Sequence, residues 1–281
     1  MLKTQLLDTK PSRIKVCFDA LKKAQKKALI PFITAGDISL ELTLQLMHAA
    51  VKAGASIIEL GIPFSDPMAD GPVIQKASER ALIQGVTLRQ VLSLVGDFRK
   101  IDMHTPIVLM GYLNPIEQMG WAQFATLSAQ NGVDGILVVD LPPEESHEVA
   151  PYLKEAGIDQ IFLLAPTTTD QRIEHITRSA TGYIYYVSLR GVTGSGQVNL
   201  QEVADKVRQI KAHTLLPVCV GFGIRDAITA KKIADESDGI VIGSTLVQMI
   251  YDLHQKSSGN EIIIQLVSNW LQEIRQAMDY S

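Results

Sequence analysis

Eight short apolar runs recur along this chain, each followed by turn residues and then by an amphipathic stretch. The runs lie at 29–34, 56–60, 107–110, 135–139, 160–164, 182–187, 218–221 and 239–242. Helical patterns fill the gaps at 40–53, 87–99, 144–156, 171–179, 201–212 and 227–235. Thr87-Leu88-Arg89-Gln90 reads as a capping box, and Gly54 and Gly157 stand where helices should end. A strand that leads into a helix returns to its sheet as a parallel neighbour, because the crossover carries the chain back to the same end. Eight such units in succession predict closure into a barrel.

The predicted fold is therefore α/β, a single (β/α)8 TIM barrel occupying 28–281 of one domain, 1–281. An amphipathic pattern at 14–26, in a leading segment 12–26, adds a helix before the first strand, and 261–278 forms the last outer helix. An open doubly wound sheet is the alternative. It lacks support, since the first strand leads into Pro31-Phe32-Ile33-Thr34-Ala35-Gly36-Asp37 and not into a Gly-x-Gly-x-x-Gly turn.

A net charge of -4 leaves no basic footprint for nucleic acid, so an anionic ligand must be held by local groups. Cys17 and Cys219 lie far apart and match no metal spacing or disulfide framework, as expected of a reducing compartment. The opening residues lack the apolar core of a signal peptide, and no apolar run reaches the length of a membrane span. The expected location is the cytoplasm, or the plastid stroma if the gene is organelle-encoded.

The chemistry concentrates in IIELGIPFSDPMADGPVIQ, residues 57–75. Glu59 sits inside an apolar run, where a carboxylate is costly unless it is paired or used. Desolvation should raise its pKa toward neutrality, which suits general acid–base work; the plainer reading is an acid paired with a Lys or Arg at a strand end. Asp66 and Asp70 lie in the Gly/Pro-rich loop that follows, at the strand end where barrels keep their active sites. Asp70, in polar surroundings, should stay ionised, although aspartate before proline or glycine is also ordinary turn chemistry.

Glycines follow the last three strands: Gly191, Gly194 and Gly196, then Gly221 and Gly223, then Gly243 beside Ser244. Backbone amides at these loops and at a helix start form phosphate sites in barrels. The 190–196 loop also has the composition of a lid. No lysine falls in a candidate strand, leaving a Schiff base without a nucleophile, and the six histidines show no ligand spacing and read as solvated surface or helix-end residues. Phe32, Phe64, Tyr112, Tyr185 and Phe222, all near strand ends, are candidates to line a flat apolar pocket.

The motifs PFITAGD (31–37), ELGIPFSDPMADGPVIQ (59–75), GYLNP (111–115), VVDLPPEES (138–146), GVTG (191–194), GFGI (221–224) and GIVIGS (239–244) together closely resemble the tryptophan synthase α-subunit family. The resemblance implies retro-aldol cleavage of indole-3-glycerol phosphate to indole and glyceraldehyde 3-phosphate. It implies that Glu59 is the general acid–base and that Asp70 accepts the indole N–H. It places Tyr185 near the reacting side chain, Thr193 in the lid beside Asp70, and Phe32, Met110 and Tyr112 around the indole. Gly194, Gly223, Gly243 and Ser244 would form the phosphate cradle. It further implies a cofactor-free chain working in an αββα heterotetramer with a β subunit that carries pyridoxal phosphate, contacted through the loops holding Asp70 and Asn114-Pro115. Ile38 stands where the family usually has proline, implying a looser first loop, and Leu189-Arg190 opens a lid region where the family varies. A stand-alone lyase, a non-catalytic regulatory subunit and a sugar-phosphate isomerase are the competing readings. The pair Glu59 and Asp70 disfavours the last two.

Overall fold

The computed structural model describes residues 11–188, 200–221, 223–256 and 259–279. Nine parallel strands form one sheet: β1 (Ala28–Thr34), β2 (Ile58–Gly61), β3 (Ile107–Gly111), β4 (Gly135–Val138), β5 (Asp159–Gln160), β6 (Phe162–Leu164), β7 (Ile184–Val187), β8 (Val218–Gly221) and β9 (Gly239–Ile242). Their order runs β5-β4-β3-β2-β1-β9-β8-β7-β6. The two ends of that order, β5 and β6, are separated in the chain only by Ile161, so the sheet closes on itself as a barrel. The expected fifth strand is thus split. Its first half bonds to β4, its second half pairs with β7, and the ladder changes sides at Ile161.

Twelve helices are described. Seven of them are α1 (Arg13–Lys23), α2 (Leu40–Lys52), α3 (Pro72–Ile83), α4 (Leu88–Arg99), α5 (Leu113–Met119), α6 (Trp121–Asn131) and α7 (Ser146–Ala156). The others are α8 (Asp170–Ser179), α9 (Leu200–Lys211), α10 (Ala227–Glu236), α11 (Ser244–Gln255) and α12 (Asn260–Asp279). The Thr87–Gln90 capping box forms at α4, and Gly157 ends α7 in the left-handed conformation at φ 70°. Four helices, α3, α5, α6 and α11, were not among the helical patterns named from the sequence. In α3 the reason is that Pro72, taken as a breaker, occupies the first helical turn, where its missing N–H costs nothing. Asn114-Pro115 likewise lies in the first turn of α5 and not in a loop.

Strand alternation divides the core in two. Outward side chains such as Ile58, Leu60 and Leu109 pack under the helices, while Ile30, Ile57, Val108, Leu137, Ile161, Tyr183 and Val241 fill the barrel. Ile14 and Phe18 of α1 join the inner cluster, each burial being worth about 1.5–3 kcal/mol. Arg13 of α1 reaches Asp134 and the Gly132 carbonyl just before β4, which places the leading helix across the amino ends of the strands. The opposite, carboxyl end is left open for a site.

Two expectations need correction here. The first loop is not loose despite Ile38: Asp37 is bound through both carboxylate oxygens by Arg80, and the Gly36 N–H is held by the Thr43 hydroxyl. His48 is not simply solvated, because its ring stacks on Phe98 at 4.7 Å.

Candidate active site

Glu59 points into the barrel because its neighbours Ile58 and Leu60 point out. Its register partners on either side are Phe32 and Val108, both members of the inner cluster. The side chain is fully buried. Tyr183 Oη donates to Glu59 Oε1 at 2.5 Å, whereas Oε2 has no hydrogen-bond partner among the described residues. Burial pushes the Glu59 carboxyl up to about 7, and the Tyr183 hydrogen bond opposes that rise. Its partner is a tyrosine and not the Lys or Arg of the plainer reading, so the acid remains able to exchange a proton near neutral pH.

Tyr183 escaped the sequence reading, although it lies two residues before Tyr185 on the same face of the chain leading into β7. Period-two alternation from Tyr185 was the signal that could have found it. Tyr185 is half-buried and rests on Gly221; a Cβ there would lie 2.3 Å from the Tyr185 oxygen. Burial, and then the nearby Glu59, raise the Tyr185 hydroxyl well above its ordinary range, keeping it a protonated donor.

Asp70 ends the loop after β2, directly before Gly71, the N-cap of α3. Tyr112 Oη donates to Asp70 Oδ2 at 3.1 Å and accepts the Ala69 N–H at 3.1 Å. Phe64 stacks on the Tyr112 ring at 5.2 Å. Asp70 is half-buried, less solvated than the polar loop suggested. Burial raises its carboxyl and the Tyr112 hydroxyl pulls it back. Asp66, in contrast, is exposed, takes the Ser65 hydroxyl at 2.5 Å and belongs to the turn.

Beside Asp70 opens a cleft lined by Phe32, Thr34, Met110, Tyr112 and Val139 among others. Gly61 makes room for the Phe32 ring, whose Cζ would stand 2.6 Å from an added Cβ. Met110 pairs with Gly61, two residues beyond the Glu59–Val108 step, so Glu59 lies one inward layer below the cleft.

Phe32, on one wall of the cleft, also adjoins the corner between β9 and α11. Gly243 is the N-cap of α11, no side chain caps the helix, and an added Cβ there would be 3.6 Å from Phe32. Thr245 Oγ1 donates to the Ile224 carbonyl at 2.8 Å, fastening the loop of Gly223 to the first turn of α11. Gly223 is exposed with open space where a Cβ would be. Ser244 begins the helix, and its dipole favours an anion at this point. Thr193, Gly194, the rest of the 190–196 lid and Phe222 lie outside the described residues.

A buried acid poised near neutrality, a second carboxylate at the cleft above it and an uncapped helix start at the carboxyl end of a parallel barrel together have the form of a (β/α)8-barrel enzyme site. The sequence pattern of the family described as tryptophan synthase alpha chain matches residues 18–278. The tryptophan synthase alpha chain of Cupriavidus taiwanensis is 56% identical over 268 residues, covering 95% of this chain and 99% of its own. That of Thioalkalivibrio sulfidiphilus is 54% identical over 268 residues, covering 95% of this chain and 100% of its own. Among solved structures, tryptophan synthase subunit alpha from Legionella pneumophila str. Paris superposes with a TM-score of 0.90 at 44% identity, over 96% of this chain and 99% of that one. The chain belongs to the tryptophan synthase alpha chain family. It is a carbon–carbon lyase that cleaves indole-3-glycerol phosphate in tryptophan biosynthesis.

Proposed function

We propose that Glu59 and Asp70 carry the retro-aldol step, with the indole in the Phe32–Met110–Tyr112 cleft and the phosphate at Gly223, Gly243 and Ser244. The carrying observation is the fully buried Glu59 carboxyl, pushed to about 7, with one oxygen unpartnered. Glu59 exchanges the Tyr183 hydroxyl for substrate by rotating upward one layer, and as a carboxylic acid it protonates the indole ring carbon that bears the side chain. The resulting positive charge on the indole N–H is stabilised by Asp70, held in place by Tyr112. The carboxylate of Glu59 then helps remove the side-chain hydroxyl proton. The bond between ring carbon and side chain breaks, its electron pair returns to the ring, and the hydroxyl carbon becomes the aldehyde of glyceraldehyde 3-phosphate. Tyr185, beside the same interior space, faces the reacting carbon, and Thr193 and Gly194 complete the lid and the phosphate cradle.

In this reading the chain needs no cofactor or metal of its own, because a carboxyl near neutrality supplies the proton transfers. Family membership brings a β-subunit partner. The assembly is an αββα heterotetramer in which pyridoxal phosphate belongs to the β subunit. The Asp70 loop, with Met68 84% exposed beside it, and the start of α5 form the contact. The location is the cytoplasm; no described helix is long and apolar enough to cross a membrane.

The test is indole release from indole-3-glycerol phosphate by the full chain, with and without the β subunit, alongside Glu59→Gln. We expect slow release alone, stimulation by β, and a loss of about 10³-fold in the variant with no drop in melting temperature. A variant that keeps its rate would remove Glu59 from the chemistry, and fast release indifferent to β would favour a stand-alone lyase.

A further inference from the structure

The two ends of the cleft are carried by different helices. Asp70 sits at the start of α3, and Gln75 in the next turn donates to the carbonyls of Asp70 and Pro67, so the loop travels with the helix. The Gly243–Ser244 corner is the start of α11. In the sheet, β2 and β9 flank β1 on opposite sides, so these two corners do not hydrogen-bond to each other through strands.

The two helices pack on each other, and farther along them one side chain ties both to the β1 loop. Arg80 of α3 donates Nε to Asp37 Oδ1 at 2.5 Å and Nη2 to Asp37 Oδ2 at 3.0 Å, gripping the loop after β1. The same guanidinium lies over the ring of Tyr251 in α11, 3.9 Å from its centre. Gln84, the C-cap of α3, donates to the carbonyls of Gly36 and Asp37. Asp37 is buried, and the side chain of Arg80 is 22% exposed, so the fork is largely shielded from water. A planar, two-pronged and stacked contact of this kind fixes orientation as well as distance, which a lysine cannot reproduce.

We propose that Arg80 is a positioning residue that couples the indole end of the cleft to its phosphate end, through Asp37 and Tyr251. By holding α3 and α11 to the β1 loop, it sets the distance between Asp70 and the α11 start, and so whether one ligand reaches both. This rests on the assignment of the two ends under the proposed function. An error of 1 Å in that separation is enough to cost about 100-fold in rate.

The experiment splits the ligand into halves. The full chain, and its Arg80→Gln, Arg80→Lys and Tyr251→Leu variants, are titrated calorimetrically with indole, with and without saturating glycerol 3-phosphate. In the parent protein each half should tighten the other by about fivefold or more. Arg80→Gln should bring that factor close to one while each half still binds alone, and Arg80→Lys and Tyr251→Leu should give intermediate factors. With whole substrate, Arg80→Lys should lower kcat about tenfold with KM nearly unchanged, as expected of misplacement and not of lost binding. An unchanged coupling factor in the folded variants, or equal weakening of both halves with the factor preserved, overturns the proposal. Should Arg80→Gln not fold, the Lys and Leu variants decide the question by the same criterion. Failure of the parent protein to bind either half would instead overturn the assignment of the cleft.

Discussion

Two of the carboxylates buried in this barrel are treated in opposite ways. Asp134, near the amino ends of the strands, is saturated. Its Oδ1 accepts Arg13 Nε at 2.6 Å, and its Oδ2 accepts Arg99 Nη2 at 2.6 Å and the Ile107 N–H at 2.7 Å. Glu59, toward the open end, has one tyrosine hydroxyl and an empty oxygen. Both acids are desolvated, but only Glu59 lacks a cation to hold its charge. The amino end uses burial with full pairing to lock α1 against the sheet. The interior below the cleft leaves a carboxyl underpaired, which raises it toward neutrality, as the proposed acid–base role requires.

The sharpest way to break this contrast is to unpair Asp134. Asp134→Asn leaves the buried Arg99 guanidinium without its counter-charge and should cost about 3 kcal/mol of stability in urea unfolding, with kcat little changed. A large kcat loss at unchanged stability would mean that the two carboxylates do not divide the work as described.

The second prediction concerns pH. Glu59 binds its proton more tightly folded, at about 7, than its ordinary 4.5, so between those values the folded state holds more protons than the unfolded one. Stability from this group therefore falls as pH rises from about 4.5 through 7, by on the order of 3 kcal/mol across the window. Glu59→Gln should remove that slope, so its stability advantage over the parent should grow from pH 5 to pH 8 in thermal or urea melts. Parallel curves would show that Glu59 is not held protonated by the fold.

The smallest effect is expected at Tyr183. Removing its hydroxyl in Tyr183→Phe takes away the bond that favours the charged carboxylate, so the Glu59 limb of the pH–rate profile should move upward, by about one unit or less. A downward shift would reverse the role given to that bond.

How much of this was legible without coordinates differs from one residue to the next. Glu59 announced itself as an acid within an apolar run, and Asp70 as part of a loop at a strand end. Tyr183 was marked only by its alternation with Tyr185, and its bond to Glu59 spans 124 positions, which local pattern does not show. Arg80 was not singled out, because its partners Asp37 and Tyr251 lie 43 positions before it and far beyond it. The α3 helix was hidden for a different reason: Gly71-Pro72 was read as part of the loop when it is a helix start.

The order and direction of strands, the leading helix, the apolar setting of Glu59 and the glycines that follow the last strands were all determined by the sequence itself, since periodicity, turn chemistry and charge in an apolar run are local properties. Which tyrosine meets Glu59, how far Asp70 is desolvated, where the fifth strand changes partners and how α3 is tied to α11 were decided only by the closed barrel. Those features depend on side chains brought together across the sheet, and short-range pattern carries no record of such distances.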